Sequence, residues 1–295
     1  FRAVHLRSRQ HGVTVEVAYL LGGLMAANRF IVTKEHRRFV EFADTVKANR
    51  TIGLCFGAAG IGKTLSARRY AHWDKAEPLL TTWGPRQDSD HDVYAALYRA
   101  RTVLYTPPVL QTPRQFAHDL EHLTTRVAVC ISQHRTQTTK QSNPATAAAS
   151  PIRLLVIDEA ERLAPTSLEL VRDRYDRDNI GVILIGMPGI EKQFRRYAQF
   201  YSRVGFAHHY RPLAQQELVF VLQRQWRARG RELDPDDYTD AQTITAIAQT
   251  TRGNFRLLER LLTQIERVMK INELNTVTND VVEAARGTLV IGTSG

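Results

Sequence analysis

Residues 57–64 read Gly-Ala-Ala-Gly-Ile-Gly-Lys-Thr. Three glycines in eight positions let a backbone curl until its N–H groups point at one spot, a place for a chain of phosphates. Lys63 would add full positive charge there, and the Thr64 hydroxyl is suited to a divalent cation. The pattern G-x-x-x-x-G-K-S/T carries this meaning between a strand and a helix. That context is present: "TIGLCFG" (51–57) is a continuous apolar run of the kind buried on both faces, and the chain restarts after it as a basic helix. Gly57, Ala58, Ala59, Gly60, Ile61, Gly62, Lys63 and Thr64 are therefore the expected nucleotide-binding residues. Hydrolysis would need acidic partners, and "LLVIDEA" supplies them. Asp158, at the end of an apolar run, would hold magnesium through water, and Glu159 would polarise an attacking water. Lys63 and Glu159 are thus candidate catalytic residues, with Thr64 and Asp158 the candidate metal-binding pair.

These residues need a scaffold that brings strand ends together. Thr33 is placed to cap a helix whose apolar residues Phe39, Phe42, Ala43 and Val46 recur at three and four. Further strand-like runs occur at "PLLTTWG" (78–84), "IRLLVIDEA" (152–160), "IGVILIGMPG" (180–189) and "VGFAHHYRPL" (204–213), with helical patterns between them. Such alternation predicts right-handed crossovers and a parallel sheet covered by helices. The polar, low-complexity stretch 133–151 reads as a mobile loop. Beyond Pro212 only helical patterns follow, carried by Leu218, Val221, Leu222 and Trp226, then Ile244 and Ile247, then Leu258, Leu261, Leu262, Ile265 and Met269, then Val281, Val282 and Ala285. The expected organisation is an N-terminal extension outside the fold (1–24), a nucleotide-binding core (25–212) and a helical domain (213–295).

Composition narrows the setting. With 43% hydrophobic and 24% charged residues the chain can bury a core. Its two cysteines, Cys55 and Cys130, fit neither a disulfide framework nor a metal site, so a reducing cytoplasm is expected. The net charge of +10 suits a polyanionic partner. The apolar stretch 13–27 is interrupted by Glu16 and is too short to span a bilayer, so no membrane partner is expected. His208 and His209 are neighbours in a strand pattern and face opposite sides, which argues against joint chelation.

The phrases "GAAGIGKT", "LLVIDEAERL", "VILIGMPGIEKQF" and "RGNFRLLERLL", in this order, resemble the AAA+ ATPases that regulate DNA transposition, the TnsC, TniB and MuB group, with IstB more distant. The resemblance spans about residues 30–269. It implies an α/β fold: a P-loop αβα core with a five-stranded parallel sheet in the order 5-1-4-3-2, plus a small all-helical lid. It implies ATP and Mg2+ as cofactors, ATP hydrolysis, and a homo-oligomer, ring or filament, on double-stranded DNA without sequence preference. A transposase and a target-selection protein are the implied protein partners. By the same resemblance Arg203 is the arginine finger offered to a neighbouring subunit, with Arg195 and Arg196 in reserve, and Arg256 contacts the nucleotide phosphates. "RFIVT" (29–33) is either adenine-contacting or plain packing. One departure stands out, because Met187 sits where a polar first sensor is common, and a thioether cannot orient water as Asn or Thr can. A helicase-loader-like protein, a secretion-associated ATPase and a nucleotide-gated scaffold with little turnover are the alternatives. Arg99, Arg101, Arg114, Arg126, Arg135 and Lys140 are candidates for phosphate contact or for solvated helix faces, and none is assigned as a DNA site.

Overall fold

The computed structural model describes residues 30–138 and 151–289. The expected extension 1–24, Lys140 and the stretch 139–150 lie outside the described residues. The chain forms two compact units, Lys34–Pro212 and a second made of residues 30–33 and 213–289.

The first unit opens with α1 (Lys34–Asn49), which buries Phe39, Phe42, Ala43 and Val46 along one stripe. Then come β1 (Ile52–Phe56), α2 (Lys63–Tyr70), α3 (Trp73–Thr82), α4 (His91–Ala100), β2 (Thr102–Tyr105) and α5 (Pro113–Thr138). The chain continues through β3 (Leu154–Ile157), α6 (Pro165–Asp178), β4 (Gly181–Gly186), the short helices α7 (Ile190–Phe194) and α8 (Ala198–Tyr201), and β5 (Val204–His209). All four strand pairings are parallel, and the sheet runs β2-β3-β4-β1-β5. Read from the other edge this is 5-1-4-3-2, the expected order. β2, β3 and β4 are buried at every position, which is why β3 and β4 appear in sequence as unbroken apolar runs; β5, at the edge, is largely exposed.

Two local expectations are corrected. "PLLTTWG" is no strand: its first five residues close α3, where Trp73, Ala76 and Leu80 bury one face at helical spacing and Pro78 is accommodated inside the helix. The second strand is instead "TVLY", four residues set off by Arg101 in the left-handed region and by Pro107–Pro108 beyond. Nor is the polar stretch a loop from its start, because α5 continues to Thr138.

The second unit is helical throughout its described length, with α9 (Gln215–Ala228), α10 (Tyr238–Thr251), α11 (Phe255–Ile271) and α12 (Asn279–Gly287). Its core joins Leu218, Val221, Leu222 and Trp226 to Ile244, Ile247, Leu258, Leu261, Leu262, Ile265, Met269, Val281, Val282 and Ala285, with Ile31 added from the N-terminal side. Asp237 caps α10 by accepting from the Thr239 and Asp240 amides, and Asn254 caps α11 by accepting from the Leu257 amide. Among the described residues no helix is long and apolar enough to cross a membrane.

Both cysteines are free and buried in the first unit's core. Burial pushes the Cys130 thiol up to about 11 and raises that of Cys55 as well. A maleimide or disulfide reagent at neutral pH should therefore label neither thiol in the folded protein and both after denaturation. Rapid labelling of the native chain would show that this core opens readily.

Candidate nucleotide site

The loop between β1 and α2 takes its shape from backbone angles that favour glycine. Gly60 and Gly62 have φ of 77° and 109°, and Gly62 leads directly into α2. The loop is also pinned to the sheet, since the Gly57 amide donates to the Gly186 carbonyl at the end of β4 (3.4 Å). Lys63, 8% exposed, folds back and donates from Nζ to the Gly57 and Ala58 carbonyls at 2.6 and 2.8 Å. Burial pulls its ammonium below the usual lysine range, opposed by the charges of nearby groups that include Asp158, Glu161 and Glu159. An ammonium held, among the described residues, by neutral carbonyls is a cation ready for an anionic partner.

Asp158 meets the loop from the end of β3. Its Oδ2 accepts from the Thr64 hydroxyl (2.7 Å) and its Oδ1 from the Glu159 amide (3.0 Å). Burial raises its pKa, and these two hydrogen bonds oppose the rise. Glu159 follows with φ of 51°, an unusual conformation for a residue with a Cβ, and turns the chain sharply into a 3-10 segment, Ala160–Arg162. Arg162 lies 3.8 Å from the Glu159 carboxylate and donates to the Pro107 carbonyl of the loop after β2 (2.9 Å). The structure thus brings together Lys63, Thr64, Asp158 and Glu159, 94 residues apart in chain between Thr64 and Asp158.

The remaining candidates lie elsewhere. Arg203 stands at the start of β5, where its carbonyl accepts from the Ile52 amide, the first residue of β1. The phosphate loop is at the opposite end of that strand. The Arg203 guanidinium is engaged in a two-pronged ion pair with Asp176 of α6, both bonds 2.8 Å. Arg195 stacks on Tyr201 and donates to its hydroxyl (3.3 Å), and Arg196 is exposed. Arg256 is exposed in the first turn of α11, in the second unit. Met187 is 41% exposed just past β4. Of the basic candidates, Arg99 lies on α4 before β2 and Arg101 immediately after that helix, so neither sits between the second and third strands; Arg114, Arg126 and Arg135 lie on α5. Arg126 donates to the Leu80 carbonyl and Arg101 covers the Tyr98 ring, so both take part in packing. His208 stacks on Phe42 and lies 3.3 Å from Glu35, whereas His209 stacks on Phe56.

Sequence reasoning passed over two features. Behind the loop, His36 of α1 hydrogen-bonds Ser66 of α2 (3.0 Å), and Ser66 hydrogen-bonds the Tyr210 hydroxyl (2.7 Å), which fixes α2 from its far side. Burial, with Arg69 nearby, lowers the His36 pKa and favours the neutral ring. The second feature is Glu161, whose Oε2 is buried without a hydrogen-bond partner among the described residues. Its acidic neighbours in "DEAER" were the available signal.

A parallel αβα sheet with a glycine-and-lysine loop after β1 and an acidic pair after β3 defines a P-loop nucleotide-binding unit. The chain belongs to the AAA domain family, which residues 46–194 match, and is an ATP-binding AAA+ ATPase. A Staphylococcus aureus protein described as a potential ATP-binding protein is 38% identical over 267 residues, covering 89% of this chain and 97% of that one. Among solved structures, the Thermotoga maritima RuvB Holliday junction branch migration motor superimposes with a TM-score of 0.53 at 18% identity, covering 88% of this chain and 70% of that one. The Aeropyrum pernix ORC2 protein in its ADPNP-ADP complexes gives 0.53 at 15% identity, covering 91% and 72%. At these identities the two structures speak to fold alone.

Because Lys63 is the one fully charged group seated on the loop carbonyls, Lys63→Ala should weaken ATP binding by about a hundredfold or more while leaving thermal unfolding nearly unchanged. Fluorescent-nucleotide titration measures the first and calorimetry the second; equal ATP affinity in variant and parent would remove the loop from the binding site.

Proposed function

We propose that this chain hydrolyses ATP and, as a homo-oligomer on double-stranded DNA in the cytoplasm, regulates transposition by recruiting or activating a transposase at sites chosen with a target-selection protein. The observation that carries the hydrolytic half is the Thr64–Asp158 hydrogen bond with Glu159 next in chain. Thr64 and Asp158 fit magnesium, since both present hard oxygen donors at one point beside the loop. When bound, the ion neutralises charge on the β- and γ-phosphates. The chain's own residues do the rest. Lys63 leaves its carbonyl partners for the outer phosphates, and Glu159 takes a proton from water as the water oxygen attacks the γ-phosphorus. The bond to the β–γ bridging oxygen breaks, giving ADP and phosphate. Arg256 is the proposed contact to the phosphates in the same subunit.

The DNA half rests on the four quoted motifs, on the net charge of +10 and on the fold shared with a branch migration motor. Sequence-independent binding of this kind is carried by phosphate contacts and counterion release. Duplex binding should therefore require ATP, ignore sequence, and fall about a thousandfold between roughly 50 and 200 mM salt. Fluorescence anisotropy on two unrelated duplexes reads this. Salt-independent binding, or none with ATP present, favours the nucleotide-gated scaffold, the reading for which Met187 is the specific observation.

Arg203 is proposed as the finger for a neighbour's ATP, since its position at the start of β5 keeps it from the loop of its own subunit. Its pairing with Asp176 means that a neighbour's nucleotide must compete for it. An Arg203→Ala subunit mixed with a Lys63→Ala subunit should recover hydrolysis on DNA, because the second lends its arginine to the intact site of the first; alone, Arg203→Ala should lose about a thousandfold in turnover. Complementation by Arg195→Ala or Arg196→Ala instead would reassign the finger.

A further inference from the structure

Water attacking a phosphate has two hydrogens to place. Glu159 accepts one, and the second needs another acceptor if the oxygen lone pair is to stay aimed at phosphorus. The end of β4, hydrogen-bonded to the loop, offers no such side chain, because β4 closes on Gly186 and Met187 follows. Glu161 reaches that place from the turn after β3. A Cβ on Gly186 would stand only 2.7 Å from Glu161 Oε2, so the carboxylate lies directly against the Gly186 backbone, in room that any other residue would fill. Gly186 is in turn the residue whose carbonyl accepts from Gly57, the first residue of the phosphate loop. The carboxylate also falls within electrostatic reach of Lys63, Asp158 and Glu159. The Glu161 amide donates to its own carboxylate, and Oε2, buried with no partner among the described residues, is left for a donor that a ligand could supply. The carboxylate torsion is soft and twofold, so either oxygen can face the loop.

We infer that Glu161 is a positioning residue for hydrolysis, its carboxylate holding the second hydrogen of the water that Glu159 deprotonates and so supplying at the end of β4 the polar contact Met187 lacks. This rests on the proposed ATP hydrolysis and adds to it a residue outside the Asp158–Glu159 pair.

The test uses the full chain with magnesium and duplex DNA, and compares Glu161→Ala, Glu161→Gln and Glu161→Ala/Met187→Asn with the parent. Three quantities are read: turnover, affinity for ATP, and affinity for ADP with tetrafluoroaluminate, which mimics the phosphoryl group with its in-line water. Glu161→Ala should lose about tenfold or more in turnover and in tetrafluoroaluminate affinity, with ATP affinity within about twofold of the parent. Glu161→Gln keeps an acceptor oxygen and should lose less. Met187→Asn should restore part of what Glu161→Ala loses, which a packing role cannot explain. Unchanged turnover, or a parallel fall in all three quantities that Met187→Asn does not relieve, would overturn the inference while leaving the ATPase reading intact. A parent that binds ATP but neither turns over nor takes up tetrafluoroaluminate would overturn both.

Discussion

The hydrogen bond from the Thr64 hydroxyl to the Asp158 carboxylate joins the first turn of α2 to the end of a strand two places away in the sheet. It exists only because three strands are in register. Leu54 of β1 and Ile157 of β3 both pair with Leu184 of β4, so Asp158 leaves the sheet at the level of Cys55, two residues before β1 gives way to the phosphate loop at Gly57. A slip of one residue would move Asp158 by about 3.3 Å and turn its side chain to the other face. The register is held in turn by strands buried at almost every position, where a slip would gain no alternative core. The apolar runs and the chemistry are therefore one constraint: the core sets the heights at which the polar residues emerge.

The electrostatics follow from that convergence. One ammonium and three carboxylates share a partly desolvated region, and burial pushes Lys63, Asp158 and Glu161 each toward its neutral form. The ammonium satisfies itself on main-chain carbonyls, and Asp158 on a hydroxyl and an amide. None of these is a full opposite charge. A site so arranged gains more from an incoming phosphate chain with its cation than a solvated surface cluster would, because the desolvation has already been met by folding.

Much of this was legible in the sequence, for a physical reason: strands buried on both faces must be continuously apolar, and a phosphate loop must have glycines at fixed spacing. β1, β3 and β4 were visible on the first ground and residues 57–64 on the second, while β5, exposed at the edge, showed only as a more polar run. β2 was missed because four residues carry little pattern, while "PLLTTWG" looked like a strand once its proline hid the helical spacing of Trp73, Ala76 and Leu80. Asp176 and Arg203 are 27 residues apart and meet only through packing, so the pairing that occupies the candidate finger could not be read from either. Glu161 was hidden differently. It stands in a run of acidic residues where solvent exposure is the ordinary outcome, and only the absence of a side chain on Gly186 gives it a place to go.

The same sheet explains why the proposed finger, Arg203, cannot serve the phosphate loop of its own subunit. Parallel strands place all loops that follow them at one end and all that precede them at the other. Arg203 precedes β5 beside the first residue of β1, whereas the phosphate loop follows the last. Five residues of β1 at about 3.3 Å each separate the two, roughly 16 Å, more than twice the reach of an arginine side chain. The role proposed for Arg203 therefore requires a second copy of the chain. The partner of Arg203 within the subunit, Asp176, is exposed, but the pair is two-pronged and Arg203 also donates to the Gln199 carbonyl. An arginine so held must exchange these partners for a phosphate, which is the energetic condition on the role proposed for it.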